Sequence, residues 1–498
     1  MRCARFAVGI VSSLAFVSAS ARAQDCGCDH TLGLEVTEAD GMDLGVMPGE
    51  RVCVTAGTRE FLRLQRFFGS EAAPIEVINC GGQVVIHNED RAYALVVEED
   101  SHHVHVTGTG DDTLTYGFDV SAPDRDPYPG IGVWLNGRST DIEVDHIEVH
   151  HTGFAGVMAK TDPLCDGSAD QGVFLQHATR LHHLYVHDTG GEGFYVGSTQ
   201  SNGHSIMCMG MTEVHQPHFL EEVDIYENLV EDTGWDGMQV GMAHSGCRVY
   251  RNEIHRVGLE REMYQQQGLQ IGTFSVCDVY ENTITDGTAN GLLVIGAGDM
   301  TATNNVLLRF EGDGVYSNAN DVIAGARYRF YFNTIADYGG NAITVFGGVL
   351  GASEAFDNLM IGDTEIAVGG DVAWTAGSNL RFASEGEAGV VSPADYHLTE
   401  TSPARGAGEA AGGVDTDRDG LPRADPPSVG AYEYRDLTVD AGVPPGRDAG
   451  SVPPGTDAGT TPTEDGGCGC RAAGGSRRRP ASYLAGLLVL VALRRRRR

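Results

Sequence analysis

Asparagine returns at almost one spacing through the middle of this 498-residue chain. The positions are Asn228, Asn252, Asn282, Asn305, Asn333 and Asn358, separated by 24, 30, 23, 28 and 25 residues. Most follow an aromatic residue by two positions, as in Tyr226-Glu-Asn228, Tyr250-Arg-Asn252, Tyr280-Glu-Asn282, Tyr331-Phe-Asn333 and Phe356-Asp-Asn358. A glycine-initiated apolar stretch follows most of them: Gly237-Met-Gln-Val-Gly241, Gly268-Leu-Gln-Ile-Gly272, Gly291-Leu-Leu-Val-Ile-Gly296 and Gly314-Val-Tyr-Ser. Self-similarity at a period of about 20–50 residues is the mark of stacked repeats. The segments inside each period are short, β-branched or aromatic, and broken by Gly, Asn and Asp. None has apolar residues at helical spacing over a useful length. The reading is an all-β solenoid, each period one coil of a parallel β-helix. One Asn per coil would build an amide ladder at a corner, where Asn tolerates left-handed backbone angles.

Two upstream frames carry histidine instead. His146-Ile-Glu-Val-His-His-Thr-Gly153 and His183-Leu-Tyr-Val-His-Asp-Thr-Gly190 align with Asn228-Leu-Val-Glu-Asp-Thr-Gly234, with one extra residue. Here the chain resembles the right-handed parallel β-helix repeat proteins of the pectate-lyase-like superfamily, from about Val46 to Tyr434. The opening Pro48-Gly-Glu-Arg-Val-Cys-Val-Thr-Ala-Gly57 is similar to the first strand of that family, and Val429-Gly-Ala-Tyr-Glu-Tyr434 to its closing segment. The resemblance implies a single β-helix over residues 24–436. It also implies a long flat face suited to an extended polysaccharide or surface glycan.

The ends read as export and anchoring signals. Arg2 and Arg5 precede an apolar run, and Ala21-Arg-Ala23 is a small-x-small cleavage site, so residues 1–23 read as a signal peptide cut after Ala23. Residues 437–466 carry repeated Asp-Ala-Gly with prolines and read as an acidic linker. Residues 467–498 combine Gly467-Cys-Gly-Cys470, a short apolar run and a terminal arginine cluster. That run is shorter than the ~20 residues of a stable span. The combination resembles the MYXO-CTERM sorting tag. This implies processing at Cys468 or Cys470 by a sorting protease and display at the outer membrane surface; an ordinary tail anchor is the alternative.

The formal net charge is −35. Without the signal and the tail from Arg471, which hold three and nine arginines and no acid, the balance is 22 basic against 69 acidic residues, or −47. Such a field disfavours nucleic acid. Of 11 cysteines, eight lie between signal and tag, an even number that predicts disulfides in an exported chain. Cys247 and Cys277 each precede a ladder Asn by five residues and should pair across one coil. Cys53 and Cys80 are expected to pair likewise. Cys165 with Cys208, and Cys26 with Cys28 or a crossed arrangement, stay open.

Chemistry in such a groove takes two forms. Hydrolysis needs paired carboxylates. Lyase chemistry needs a base and a cation to neutralise a uronate. Alignment stacks Asp188 over Asp232 and Glu192 over Asp236. Four carboxylates at that spacing repel unless a cation or proton relieves them. Glu192 and Asp236 are therefore read as the acid–base pair, and Asp188 and Asp232 as Ca²⁺ ligands. Turn chemistry alone also places Asp and Asn there, since the same position holds Gln267, Asn290 and Asp313 in later coils. His187 is a candidate base. So is Lys160, the chain's one lysine, if burial lowers its pKa. Two inserts, 161–178 and 199–219, interrupt the period beside these residues and should wall the site. Asp415-Thr-Asp-Arg-Asp-Gly420 looks like a Ca²⁺ loop but has Pro426 where the bidentate Glu belongs, so it reads as an Asp-rich turn. The expectation is a surface-anchored monomer acting on polysaccharide, as lyase or hydrolase. The rival is a non-catalytic adhesin or matrix-binding protein. Convergence of His187, Glu192, Asp236 and Lys160 in one groove would favour the enzyme.

Overall fold

The computed structural model describes residues 26–436, apart from 126–128, 297, 319–322, 324, 348–349 and 371. The signal, linker and sorting-tag assignments, with Ala23, Cys468 and Cys470, lie outside the described residues. The described chain is a right-handed parallel β-helix. Each coil lays down three strands, which stack into three columns. The first column includes Phe219–Tyr226, Cys247–Tyr250 and Cys277–Tyr280; the second includes Leu229–Thr233, Glu253–Val257 and Thr283–Gly287. Together these two columns form one 24-stranded sheet. The third column is a 12-stranded sheet containing Val157–Ala159, Phe194–Val196, Met238–Val240 and Leu269–Ile271. Inward residues of all three columns, Val, Ile, Leu and Phe in the main, fill the bore as one continuous core. No coil could bury its apolar face alone, so each depends on its neighbours.

The asparagine ladder is present and runs one rung further than expected. Asn228 Nδ2 donates to Asn252 Oδ1 at 2.9 Å, and the pattern continues through Asn282, Asn305, Asn333 and Asn358 to Asn379. Each Oδ1 also accepts the backbone N–H of the preceding rung, and each Nδ2 reaches a first-column carbonyl. The left-handed backbone, however, sits one residue earlier, at Glu227, Arg251, Glu281, Asn304, Phe332 and Asp357. That residue makes the corner, and the Asn side chain ties it. The histidine frames are corrected by the same register. Tyr185 pairs with Leu229, so Leu184, and not His183, occupies the ladder position. Its N–H caps the ladder on Asn228 Oδ1 at 3.0 Å, while His183 pairs with Glu227 at 3.1 Å. The extra residue in those frames was the corner itself. The aromatic residues ahead of the ladder stack too: Tyr226 on Tyr250 and Tyr250 on Tyr280, ring centroids 4.9 and 4.8 Å apart and nearly parallel.

The recurrent glycine before each third-column strand has a steric cause. A Cβ on Gly193, Gly237 or Gly268 would stand 2.5 Å from a carbonyl oxygen of the next coil, closer than a methyl group tolerates. The coil turns too tightly there for any side chain.

Cys247 and Cys277 are register partners and form a disulfide, as do Cys165 and Cys208. The Cys53–Cys80 expectation fails. Register sets Cys53 opposite Ile78 and Cys80 opposite Thr55, two residues out of step. The actual bridges are Cys28–Cys53 and Cys26–Cys80, which staple the N-terminal segment to the first two coils. The last regular coil ends near Leu380–Phe382. Residues 385–434 then fold back as a cap whose Ala388, Val390, Tyr396, Leu398, Val429 and Tyr432 pack on Val306, Leu308, Leu359 and Ile361. In it, buried Asp417 accepts N–H bonds from Asp419, Leu421 and Glu433 and a charged bond from Arg435. The Asp-rich loop is thus a locked turn.

Candidate functional site

Of the four residues expected to converge, Glu192 and Asp236 are neighbours, Lys160 is within electrostatic reach of Glu192, and His187 lies on another column. His187 faces outward on the second column, stacked between Tyr185 and His150 and bonded to Glu148 and Asp188. Glu192 and Asp236 lie in the turn into the third column and are fully buried. Lys160 follows the third-column strand Val157–Ala159.

Glu192 and Asp236 head a second polar ladder. Asp236 Oδ1 accepts the N–H of Gln267 at 2.6 Å, Gln267 Oε1 accepts Asn290 Nδ2 at 2.8 Å, Asn290 Oδ1 accepts the N–H of Asp313, and Asp313 Oδ1 that of Asn341. The turn reading therefore accounts for Asp236. Glu192 ends the row, and neither of its carboxylate oxygens has a hydrogen-bond partner among the described residues. Burial raises the Glu192 pKa to about 7. Burial raises Asp236 well above the ordinary carboxylate range, and the neighbouring Glu192 adds to this. Burial thus favours the protonated forms of the two stacked carboxylates, which eases the repulsion between them.

Asp188 and Asp232 do stack, each at a left-handed corner. The same corner carries Arg256, Asp286 and Arg309 in the next coils, an alternation of charge. Arg256 grips Asp232 through Nε and Nη2 at 2.8 and 3.0 Å, and Arg309 grips Asp286 in the same way. With both Asp232 oxygens on a guanidinium and Asp188 on His187 Nδ1, this donor set does not fit Ca²⁺, which takes about six to eight free oxygens.

Lys160 also departs from expectation. Burial alone would lower its pKa, but Asp162 lies 2.5 Å from Nζ and the net effect is a rise. It is held as an ammonium and not poised as a base. Nζ stands 5.1 Å from the centroid of the Tyr195 ring. Asp162 itself is exposed, so the ion pair marks an edge between interior and solvent.

What the sequence reading missed surrounds this ion pair. Outward side chains of the third column stack as Trp134, Met158, Tyr195, Gln239 and Gln270. Together with Ile131 and Ala155, Met158 and Tyr195 form an apolar cluster outside the bore, flanked by partly exposed Tyr93, Trp134 and Phe154. Trp235 packs edge-on against Phe154 at 5.8 Å, and Tyr93 lies 6.4 Å from Trp134. Trp134 Nε1 donates to the Lys160 carbonyl at 3.1 Å. Two of the chain's three tryptophans thus stand on one strip of one face. The signal was legible as outward positions of glycine-initiated strands holding aromatics, but only once inward and outward were known.

Both inserts leave successive third-column strands on the Lys160 side. The second contains the hairpin His204–Cys208 and Met211–His215, tied to the first insert by Cys165–Cys208. His218 Nε2 accepts the Thr161 N–H at 3.0 Å, and its Nδ1 donates to the Phe219 carbonyl. Burial pulls its pKa down to about 4, so it is a neutral brace. His204 is likewise lowered, by burial first and Lys160 second, and its Nε2 lies 2.9 Å from Ser198 Oγ. Replacing Cys165 and Cys208 by serine is expected to open the 199–219 insert to limited proteolysis while the coils stay intact. Cleavage no faster than in the wild-type chain would show that the hairpin is held without the bridge.

No family model matches the chain, and no curated protein matches its sequence significantly. Among solved structures it is similar to pectate lyase Pel9A, with 14% identity and a TM-score of 0.47, covering 83% of this chain and 99% of that one. It is similar to the GH136 lacto-N-biosidase from Eubacterium ramulus at 12% identity and a TM-score of 0.38, over 71% and 67% of the two chains. An alginate lyase from Paenibacillus sp. gives 15% identity and a TM-score of 0.28, over 71% and 96%. Identities this low leave the side-chain chemistry to be read from this chain alone.

Proposed function

We propose that this is an exported, surface-held β-helix protein that binds an extended polysaccharide along its third column. The observation that carries this is the outward aromatic strip of Tyr93, Trp134, Phe154 and Trp235 beside the Lys160–Asp162 pair. Flat aromatic faces with a few convergent polar groups suit sugar rings, which are apolar on their faces and polar at their edges. The strongly acidic chain repels polyanions, so a neutral glycan, or an acidic one screened by divalent cations, is the ligand class. Burial of Glu192 and Asp236 and the pairing of Lys160 with Asp162 favour binding over catalysis. Export and anchoring rest on the terminal segments read above, with a sorting protease and the outer membrane as the partners they imply.

Cleavage is the second reading, favoured by the neutral His204 beside Ser198 at the edge of the strip. One experiment tests both. The purified protein is offered neutral and uronic-acid polysaccharides, with Ca²⁺ or with chelator, and binding, unsaturated products and new reducing ends are followed. Retained binding without cleavage is expected. Trp134→Ala should weaken binding about tenfold or more, the scale of an aromatic anchor. Cleavage lost in His204→Ala would establish an enzyme. Absence of both binding and cleavage across the panel would remove the glycan reading.

A further inference from the structure

A cluster of imidazoles and carboxylates on the first column stands apart from the aromatic strip. The strands His102–Thr107, Thr140–Asp145 and Leu175–His182 are consecutive neighbours in that column. Register sets Glu143 opposite His105 and Asp145 opposite both Thr107 and His182. All these side chains point outward on rigid strands. His105 Nε2 is in short contact with Asp145 Oδ2. His182 Nε2 lies 3.0 Å from Glu143 Oε1 and 3.7 Å from Asp145 Oδ2. One ligand atom each from His105, Glu143 and Asp145 lie within 4.8 Å of one another.

We propose that His105, Glu143, Asp145 and His182 hold a divalent transition-metal ion of the zinc type, stapling three consecutive coils, the last of them just after the first insert. Two neutral imidazoles and two carboxylates are a donor set for such an ion, and the carboxylates balance its charge. Metal–ligand bonds of about 2.0–2.2 Å place tetrahedral donors roughly 3.3 Å apart; His105, Glu143 and Asp145 lie within 4.8 Å of one another, and His182 Nε2 stands 3.0 and 3.7 Å from the two carboxylates. Four protein ligands leave no open position, which is the form of a structural site.

The surroundings already orient the donors. Asp145 is almost wholly buried, and its other oxygen, Oδ1, accepts Thr107 Oγ1 at 2.5 Å and His146 Nδ1 at 2.6 Å. That leaves Oδ2 turned to the cluster. The His182 ring is clamped by Tyr226, stacked 4.5 Å away, and its Nδ1 lies 2.8 Å from His183 Nδ1, so Nε2 is the nitrogen turned to Glu143 and Asp145. Such outer contacts fix ligand orientation in metal sites. His105 and Glu143 are half-exposed and form the entry side. Arg180 approaches Glu143 only at 3.9 Å and does not occupy the centre. Binding replaces the protons shared between imidazole and carboxylate, and so releases them.

The test uses the untagged chain after chelator treatment, titrated with Zn²⁺ alone and with Co²⁺ alone. The expected result is one equivalent per chain with a Kd of about 1 μM or tighter, proton release, and a rise in Tm. His105→Ala and Glu143→Gln alter the two half-exposed ligands and leave the core alone. Each should weaken binding by about 100-fold or more while the metal-free circular dichroism matches the wild type. Failure of the wild-type chain to take up either ion, or uptake by both variants equal to wild type, would overturn the assignment.

Discussion

Asn282→Ala is expected to destabilise the β-helix by about 3–5 kcal/mol, more than any surface substitution on the same coil. Asn282 Oδ1 accepts both the backbone N–H and the side-chain amide of Asn252 at 3.0 Å. Its Nδ2 donates to the Val249 carbonyl at 2.9 Å and to Asn305 Oδ1 at 3.0 Å. Alanine leaves a buried N–H and a buried carbonyl with no partner, each at a cost of about 1–3 kcal/mol. No water can replace the amide, because the rung is fully buried. Asn379, the last rung, is half-exposed, so Asn379→Ala should cost about 1 kcal/mol. Denaturant midpoints of the two variants decide the matter. Equal losses at the two rungs would show that the interior ladder contributes no more than a solvated turn.

Glu192→Gln is expected to make the protein more stable at neutral pH and to leave it unchanged in acid. The folded Glu192 titrates at about 7 against 4.5 for an ordinary glutamate, because burial penalises its charge. The buried neutral acid therefore contributes its full stability below pH 4.5. That contribution is lost as pH rises through the folded value near 7. A separation of that size corresponds to about 3 kcal/mol. The glutamine amide has no proton to lose, so the Tm of the variant should match wild type in acid and exceed it progressively toward neutrality. A gap that does not change with pH would mean that Glu192 is ionised and solvated. The same variant should bind glycan normally. Loss of activity in a stably folded Glu192→Gln chain would return this residue to the functional centre.

The architecture was legible because a solenoid writes its period into the chain. Asn at each corner, glycine where the coils touch, and Cys247 and Cys277 five residues before successive rungs are all consequences of one stacking distance. A single inserted corner residue was enough to mislead. It moved His183 off the ladder, where Leu184 stands, and the two-residue offset of Cys53 and Cys80 sent each to a partner in the N-terminal segment.

Site chemistry was far less legible, for a related reason. The repeat uses Asp, Glu, Asn and His as corner and ladder residues, so a catalytic-looking pair such as Glu192 and Asp236 has the same letters as a structural one. Their burial and the bidentate Arg256–Asp232 contact depend on residues in neighbouring coils, for Arg256 and Asp232 24 positions apart in sequence. The sequence alone determined the coil, its corner amide and its close glycine contact, because these are local demands repeated with every turn. Tertiary structure alone decided which polar side chains face the bore, which aromatics share an outward strip, and which histidines meet which carboxylates. Those are fixed by register between coils, and a one-residue slip along a strand exchanges inside for outside.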